Sequence, residues 1–239
     1  MNYAIIAAGN GSRLKEEGVD IPKPLVEING IPLLKRLIDV FSKNRMESLS
    51  IIINEEMHEV KEYLEHLILP VSFNLVIEST PSSMHSFAKL SPYLQKDKFC
   101  LTTVDPIFSE EEFAAYIKAF EKDDAVDGLM AVTKYIDDEK PLHVVVDANT
   151  EMIIDFEDKA VDKSGYVSGG IYCLTPRSLN SLDFCLNEGI ERMRNYQRQL
   201  IKDGLALKAY PFSKIIDVDH LKDLQKAEEF LTEKIKNEI

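Results

Sequence analysis

The chain has 239 residues, 45% of them hydrophobic, and a formal charge of −13, with a pI near 4.9. That length and apolar content suit one large α/β domain with a full core. So acidic a chain is a poor match for a nucleic-acid backbone or an anionic membrane, although a small anion can bind where cations are concentrated.

In chain order, residues 3–7 read as a buried strand that runs into the turn Gly9-Asn10-Gly11-Ser12-Arg13. Residues 33–41 have helical spacing, with Pro32 suited to the first turn. Strands are expected over 49–53, 73–77 and 99–103, with an amphipathic helix over 58–67 and a helix capped by Ser82 or Ser83 and ending at Leu90. Ser109 followed by Glu112 predicts a capping box for a helix to Lys122. This alternation implies a mainly parallel, doubly wound sheet with right-handed crossovers. The second half changes character. Strand-like runs fall at 128–133, 142–146, 152–156, 167–174 and 205–211, with helices at 179–187 and 190–202 and a charged terminal helix at 221–239. Without an internal repeat or a linker-like stretch, the expectation is a single domain over 1–239. Within it, 1–125 is a nucleotide-binding half, 126–220 an acceptor-facing half, and 221–239 the terminal helix. Cys100, Cys173 and Cys185 are odd in number and widely spaced in apolar surroundings, which reads as free thiols in a reducing compartment. The first residues lack a basic n-region and no segment approaches a membrane span, so a soluble cytoplasmic protein is expected.

Two segments carry chemistry. Glycines let a backbone approach an anion without a Cβ in the way, so Ala8-Gly9-Asn10-Gly11-Ser12-Arg13 is either a phosphate cradle or a tight β-α connection. It lacks the Gly-Lys-Ser/Thr ending of a P-loop, and Leu14 stands where a dinucleotide fingerprint needs its third glycine. In Pro22-Lys23-Pro24-Leu25 two prolines stiffen the backbone around one lysine, which points to a positioned charge.

Together, Ala7-Ala8-Gly9-Asn10-Gly11-Ser12-Arg13-Leu14 and Pro22-Lys23-Pro24-Leu25 resemble the signature of the sugar-phosphate nucleotidyltransferases, or nucleoside-diphosphate-sugar pyrophosphorylases. The resemblance implies the family's Rossmann-like α/β fold with a mixed sheet. It also implies that Arg13 and Lys23 bind and polarise the phosphates of a nucleoside triphosphate. Asp105, ending Leu101-Thr102-Thr103-Val104-Asp105, falls at the C-terminal end of a strand, where open α/β sheets bind ligands; the resemblance makes it a Mg²⁺ ligand. The late segment Ile216-Asp217-Val218-Asp219-His220-Leu221 is similar to the family's source of a second metal ligand, with Asp217 the better match and Asp219 the alternative. Ser82 and Ser83 fall where relatives face the base and ribose, and Asn54 is a weaker candidate on the base side. Phe156-Glu157-Asp158-Lys159 resembles a segment whose glutamate contacts the sugar. Val167-Ser168-Gly169-Gly170-Ile171-Tyr172 resembles an Asn-x-Gly-Ile-Tyr strand, with Ser168 in place of the asparagine. Glu157, Lys159, Ser168 and Gly169 are thus the acceptor-side candidates.

The implied partners are a nucleoside triphosphate and a sugar phosphate or other phosphomonoester, with a homo-oligomer compatible. The reaction needs no side-chain nucleophile. A phosphomonoester is largely a dianion at neutral pH and attacks the α-phosphate directly, so the protein supplies alignment and positive charge. Three rival readings stand beside this one. A non-catalytic nucleotide-sensing subunit is disfavoured by the complete set of Arg13, Lys23 and Asp105. A glycosyltransferase would place its Asp-x-Asp after a central strand, whereas Asp217-x-Asp219 comes late. A phosphocholine cytidylyltransferase-like activity differs only in the acceptor.

Overall fold

The computed structural model describes residues 1–160 and 165–237. Thirteen strands and eight α-helices follow one another along them. In the first half these are β1 (Asn2–Ile6), α1 (Ser12–Glu16), β2 (Glu27–Ile28), β3 (Ile31–Pro32), α2 (Leu33–Lys43), β4 (Ser48–Ile53) and α3 (His58–Glu65). There follow β5 (Ser72–Ile77), α4 (Ser83–Leu90), β6 (Phe99–Thr103), β7 (Pro106–Phe108) and α5 (Glu110–Lys122). The second half adds β8 (Gly128–Thr133), β9 (His143–Val146), β10 (Ile153–Glu157), β11 (Val167–Leu174), α6 (Ser178–Asn187) and α7 (Met193–Lys202). It ends with β12 (Leu207–Phe212), β13 (Ile215–Asp217) and α8 (Leu221–Asn237). The last two residues of the expected terminal helix lie outside the described residues.

The main sheet runs β10-β9-β11-β6-β1-β4-β5, with β8 paired to β11 and β12 to β8. The strands β6, β1, β4 and β5 are mutually parallel, as the β-α alternation requires. Strand β11 enters antiparallel to both β6 and β8, which makes the sheet mixed. The period of two along β1 shows the layering: Tyr3 and Ile5 join one buried cluster, and Ala4 and Ile6 the other. Helices α2, α3, α5 and α8 cover the first face, and α4, α6 and α7 the second. Because β11 is a ladder neighbour of β6 from the first half and of β8 and β9 from the second, both halves of the chain share one sheet. Cys100, Cys173 and Cys185 are buried and free.

Several boundaries move for identifiable reasons. Helix α7 begins at Met193, not residue 190, because Gly189 and Arg192 both have positive φ and no helix passes through them. The Asn29-Gly30 turn, with both residues at positive φ, makes the β2–β3 hairpin that hydrophobic periodicity alone does not reveal. The capping box at α5 is only half formed. The Ser109 hydroxyl accepts from the Glu112 N–H, but the Glu112 carboxylate turns away to accept from the Ser213 N–H and hydroxyl at 3.1 and 2.9 Å. Ser82 does occupy the N-cap position of α4 without capping it; its hydroxyl lies 2.9 Å from His85 Nδ1.

Two short strands not expected from the sequence organise the site. β7 follows Asp105 directly, and β13 pairs with it antiparallel, placing Asp217 opposite Pro106. Residues more than a hundred positions apart are thereby held side by side at the C-terminal ends of the central strands.

Candidate active site

The glycine turn leaves the C-terminal end of β1 and forms one wall of a cleft of about 600 Å³. Ala8, Gly9, Asn10, Gly11, Ser12 and Arg13 line it, joined by Asn54, Ser82 and Ser83 from the neighbouring strand ends and by Lys23 and Asp105 at its floor. Every residue expected on the nucleotide side and both expected catalytic cations therefore meet in one cavity.

Gly11 is required by geometry. Its φ is +58°, and a Cβ there would come within 3.1 Å of the Lys23 Cβ, because the lysine side chain passes over the turn. Gly11→Ala is therefore expected to displace Lys23 and to carry a left-handed backbone penalty of about 1–2 kcal/mol. A fall in thermal midpoint together with a fall in nucleotidyl transfer checks this, and an unchanged rate would contradict the packing of Lys23 on the turn.

Lys23 opens a short 3₁₀ turn between Pro22 and Pro24, and the residue is only 8% exposed. Its ammonium donates to Asp105 Oδ2 at 2.6 Å and to Asp219 Oδ1 at 2.7 Å. Burial alone would lower the Lys23 pKa, but the two carboxylates outweigh it and hold the amine firmly charged. Burial raises Asp105 in turn, and this is overcome by the Lys23 charge and by hydrogen bonds from Lys23 and the Thr103 hydroxyl, which leave it below the usual carboxylate range. Arg13, half exposed, donates to the other Asp219 oxygen at 2.6 Å. Asp219 thus spans both cations.

Asp217 stands apart. Its side chain opens to the second cleft, and among the described residues nothing donates to its carboxylate. Asp217 is exposed in that open cleft, where desolvation by the surrounding protein, then the like charges of Asp105 and Asp219, act to raise its pKa above the ordinary carboxylate value. Asp105 lines the glycine-turn cleft and Asp217 the adjoining one, and both offer the carboxylate oxygens that hard divalent cations take. No cluster of three or more candidate metal-ligand side chains is found among the described residues. Two carboxylates with substrate phosphates completing the shell is the arrangement Mg²⁺ commonly adopts.

Asn54 is 6% exposed and braces the turn: its amide donates to the Ala8 carbonyl at 3.2 Å and to Asn10 Oδ1 at 3.0 Å, and its oxygen accepts from the Glu56 N–H at 3.0 Å. Ser168 and Gly169 line the second cleft, which shares Arg13 and Asp219 with the first. Glu157 ends β10 opposite His143, and Lys159 is exposed just beyond it; neither lines either cleft. Sequence reasoning missed Thr103, which clamps Asp105. It also missed Glu17, whose carboxylate accepts from the Leu221 N–H at 2.7 Å and lies 2.7 Å from His220 Nδ1, fastening the end of the glycine-turn segment to the start of α8. Thr103 was legible as the inward neighbour of a strand-end aspartate; Glu17, in an acidic spacer, gave no signal.

The family model described as nucleotidyl transferase matches residues 3–234 of this chain. A D-glycero-alpha-D-manno-heptose 1-phosphate guanylyltransferase of Campylobacter jejuni is 28% identical over 188 residues, covering 79% of this chain and 81% of that protein. A putative glucose-1-phosphate thymidylyltransferase from Bacillus anthracis shares the fold with a TM-score of 0.82 at 20% identity, covering 96% of this chain and 94% of that one. The CTP:phosphocholine cytidylyltransferase of Streptococcus pneumoniae has a TM-score of 0.74, also at 20% identity, covering 96% and 98%. Because the family match takes in every residue that lines the glycine-turn cleft, this chain belongs to the nucleotidyl transferase family and is an enzyme that transfers nucleotidyl groups.

Proposed function

We propose that the chain joins a nucleoside triphosphate to a sugar 1-phosphate, releasing pyrophosphate and forming a nucleoside-diphosphate sugar. The observation that carries this reading is the convergence of the glycine turn, Arg13 and Lys23 with Asp105 in one cleft, contiguous with a second cleft that holds Ser168 and Gly169. The backbone of the turn and the two cations receive the triphosphate, and the second cleft holds the acceptor with its phosphate near Arg13. Alignment of two polyanions is the main demand, since the acceptor phosphate is its own nucleophile. Asp105 and Asp217 would hold Mg²⁺, which supplies positive charge to the phosphates when bound. Arg13 and Lys23 stabilise charge that develops on the α-phosphate and the departing pyrophosphate. For either cation to reach phosphate, Asp219 must release it.

The test is pyrophosphate release from four nucleoside triphosphates, each paired with a panel of sugar 1-phosphates and phosphocholine in the presence of Mg²⁺. Turnover with a sugar 1-phosphate is the expected result, and it should vanish on chelation. Nucleotide binding without release from any pair would replace this reading with that of a non-catalytic sensor.

A further inference from the structure

Helix α7 carries a polar side chain where its buried face should be apolar. Gln197 is 2% exposed, beside the buried Tyr196 and near the buried Leu200. A buried amide without partners is costly, so its contacts matter. Its Oε1 accepts from the Ser168 hydroxyl at 3.0 Å, and its Nε2 donates to the Tyr172 hydroxyl at 3.4 Å. Both partners lie on β11, and Ser168 lines the acceptor-side cleft.

The strand is built to expose Ser168 there. Its register against β8 slips between Ser168 and Tyr172, and Gly170 within the slip has φ +73°. Gly169 leaves no room for a side chain, since a Cβ would fall 2.3 Å from Ile215 Cδ1 and 3.2 Å from the Ala131 carbonyl. The slip turns the backbone, and Gln197, from a different element, fixes the serine rotamer. A serine hydroxyl has one hydrogen and two acceptor lone pairs. With the hydrogen directed to Gln197 and the Tyr172 hydroxyl also in hydrogen-bonding contact, Ser168 keeps one acceptor lone pair for the cleft, which a hydroxyl group on the ligand satisfies.

We propose that Gln197 is a positioning residue that aims the Ser168 hydroxyl at the acceptor, and that Ser168 accepts from a hydroxyl of a polyhydroxylated phosphomonoester. This rests on the nucleotidyl-transfer reading above. The test measures pyrophosphate release by the full chain with glucose 1-phosphate, mannose 1-phosphate and phosphocholine as acceptors, for wild type, Ser168→Ala, Gln197→Met and the double variant. A sugar phosphate should be the preferred acceptor. Ser168→Ala should raise its KM about 3–10-fold, the range of one hydrogen bond, while the KM for the nucleotide stays put. Gln197→Met should raise the same KM, and the double variant should be no worse than Ser168→Ala, because the amide acts through the hydroxyl. Ser168→Ala leaves the core intact, so an unchanged acceptor KM in that variant overturns the proposal even if Gln197→Met fails to fold. Additive losses in the double variant, or phosphocholine as the preferred acceptor, also overturn it while leaving nucleotidyl transfer in place. No release from any pairing overturns the underlying reading, and the proposal with it.

Discussion

Lys23→Ala is expected to lower the rate of pyrophosphate release by roughly 10²–10³-fold, the cost of losing one preorganised charge at a transition state. The lysine is the most buried cation of the site, fixed by two flanking prolines and seated against Gly11. A mobile surface lysine in the same cleft would pay rotamer entropy each time it engaged phosphate; this one has already lost it. The variant should also be less stable, because Asp105 would keep only Thr103 as a side-chain donor, and breaking a buried ion pair typically costs about 3–5 kcal/mol. Partial access of water from the cleft places the effect toward the lower end. Rates measured well below the variant's thermal midpoint separate the two effects, and near wild-type release from folded Lys23→Ala would remove the lysine from the mechanism.

Asp217→Asn should act in opposite directions on activity and stability. In the metal-free protein its carboxylate has no donor among the described residues and faces Asp105 and Asp219. Neutralising it removes like-charge repulsion. The open cleft screens that repulsion, so the gain is about 1 kcal/mol, or a rise in thermal midpoint of about 2–4 °C for a domain this size. Turnover should nevertheless fall by at least roughly 10²-fold if this carboxylate carries the catalytic cation. Melting in chelator and a rate assay in Mg²⁺ read the two effects separately. A lower midpoint with full activity would mark Asp217 as a structural residue, and would shift the metal assignment toward Asp219.

The nucleotide side was legible because its information is local. One strand, one glycine turn and one proline-framed lysine lie within the first 25 residues, and β-α periodicity delivers the parallel order of β6, β1, β4 and β5. What periodicity could not deliver is pairing between distant short segments. β7 and β13 are three residues each, too short for a pattern, yet their ladder brings Asp105 and Asp217 together. The role of Asp219 was hidden for a related reason: an aspartate before a helix reads as a cap or a ligand, and nothing local says that Arg13 and Lys23 will both reach it. Gln197 gave no signal because a glutamine amid charged residues on a helix reads as solvent-facing. The acceptor motifs split. Ser168 reaches the second cleft through the bulge in β11, whereas Glu157 and Lys159 fall beyond it at the end of β10.

The double engagement of Asp219 has a consequence for which anions the cleft admits. Arg13 and Lys23 are not vacant cations, since one internal carboxylate holds both, each through its own oxygen. Orthophosphate or sulfate entering alone must break two ion pairs and would leave Asp219 beside Asp105 and Asp217 with their compensating charge withdrawn. A triphosphate arriving with its own divalent ion would replace both contacts at once and would bring the charge that the released carboxylates lack. The arrangement is therefore expected to discriminate against the small anions that compete for any simple basic patch and in favour of a polyphosphate that carries its counterion with it. Millimolar phosphate or sulfate should accordingly be a poor competitor of nucleotide binding, and replacing Asp219 with asparagine should make it a better one.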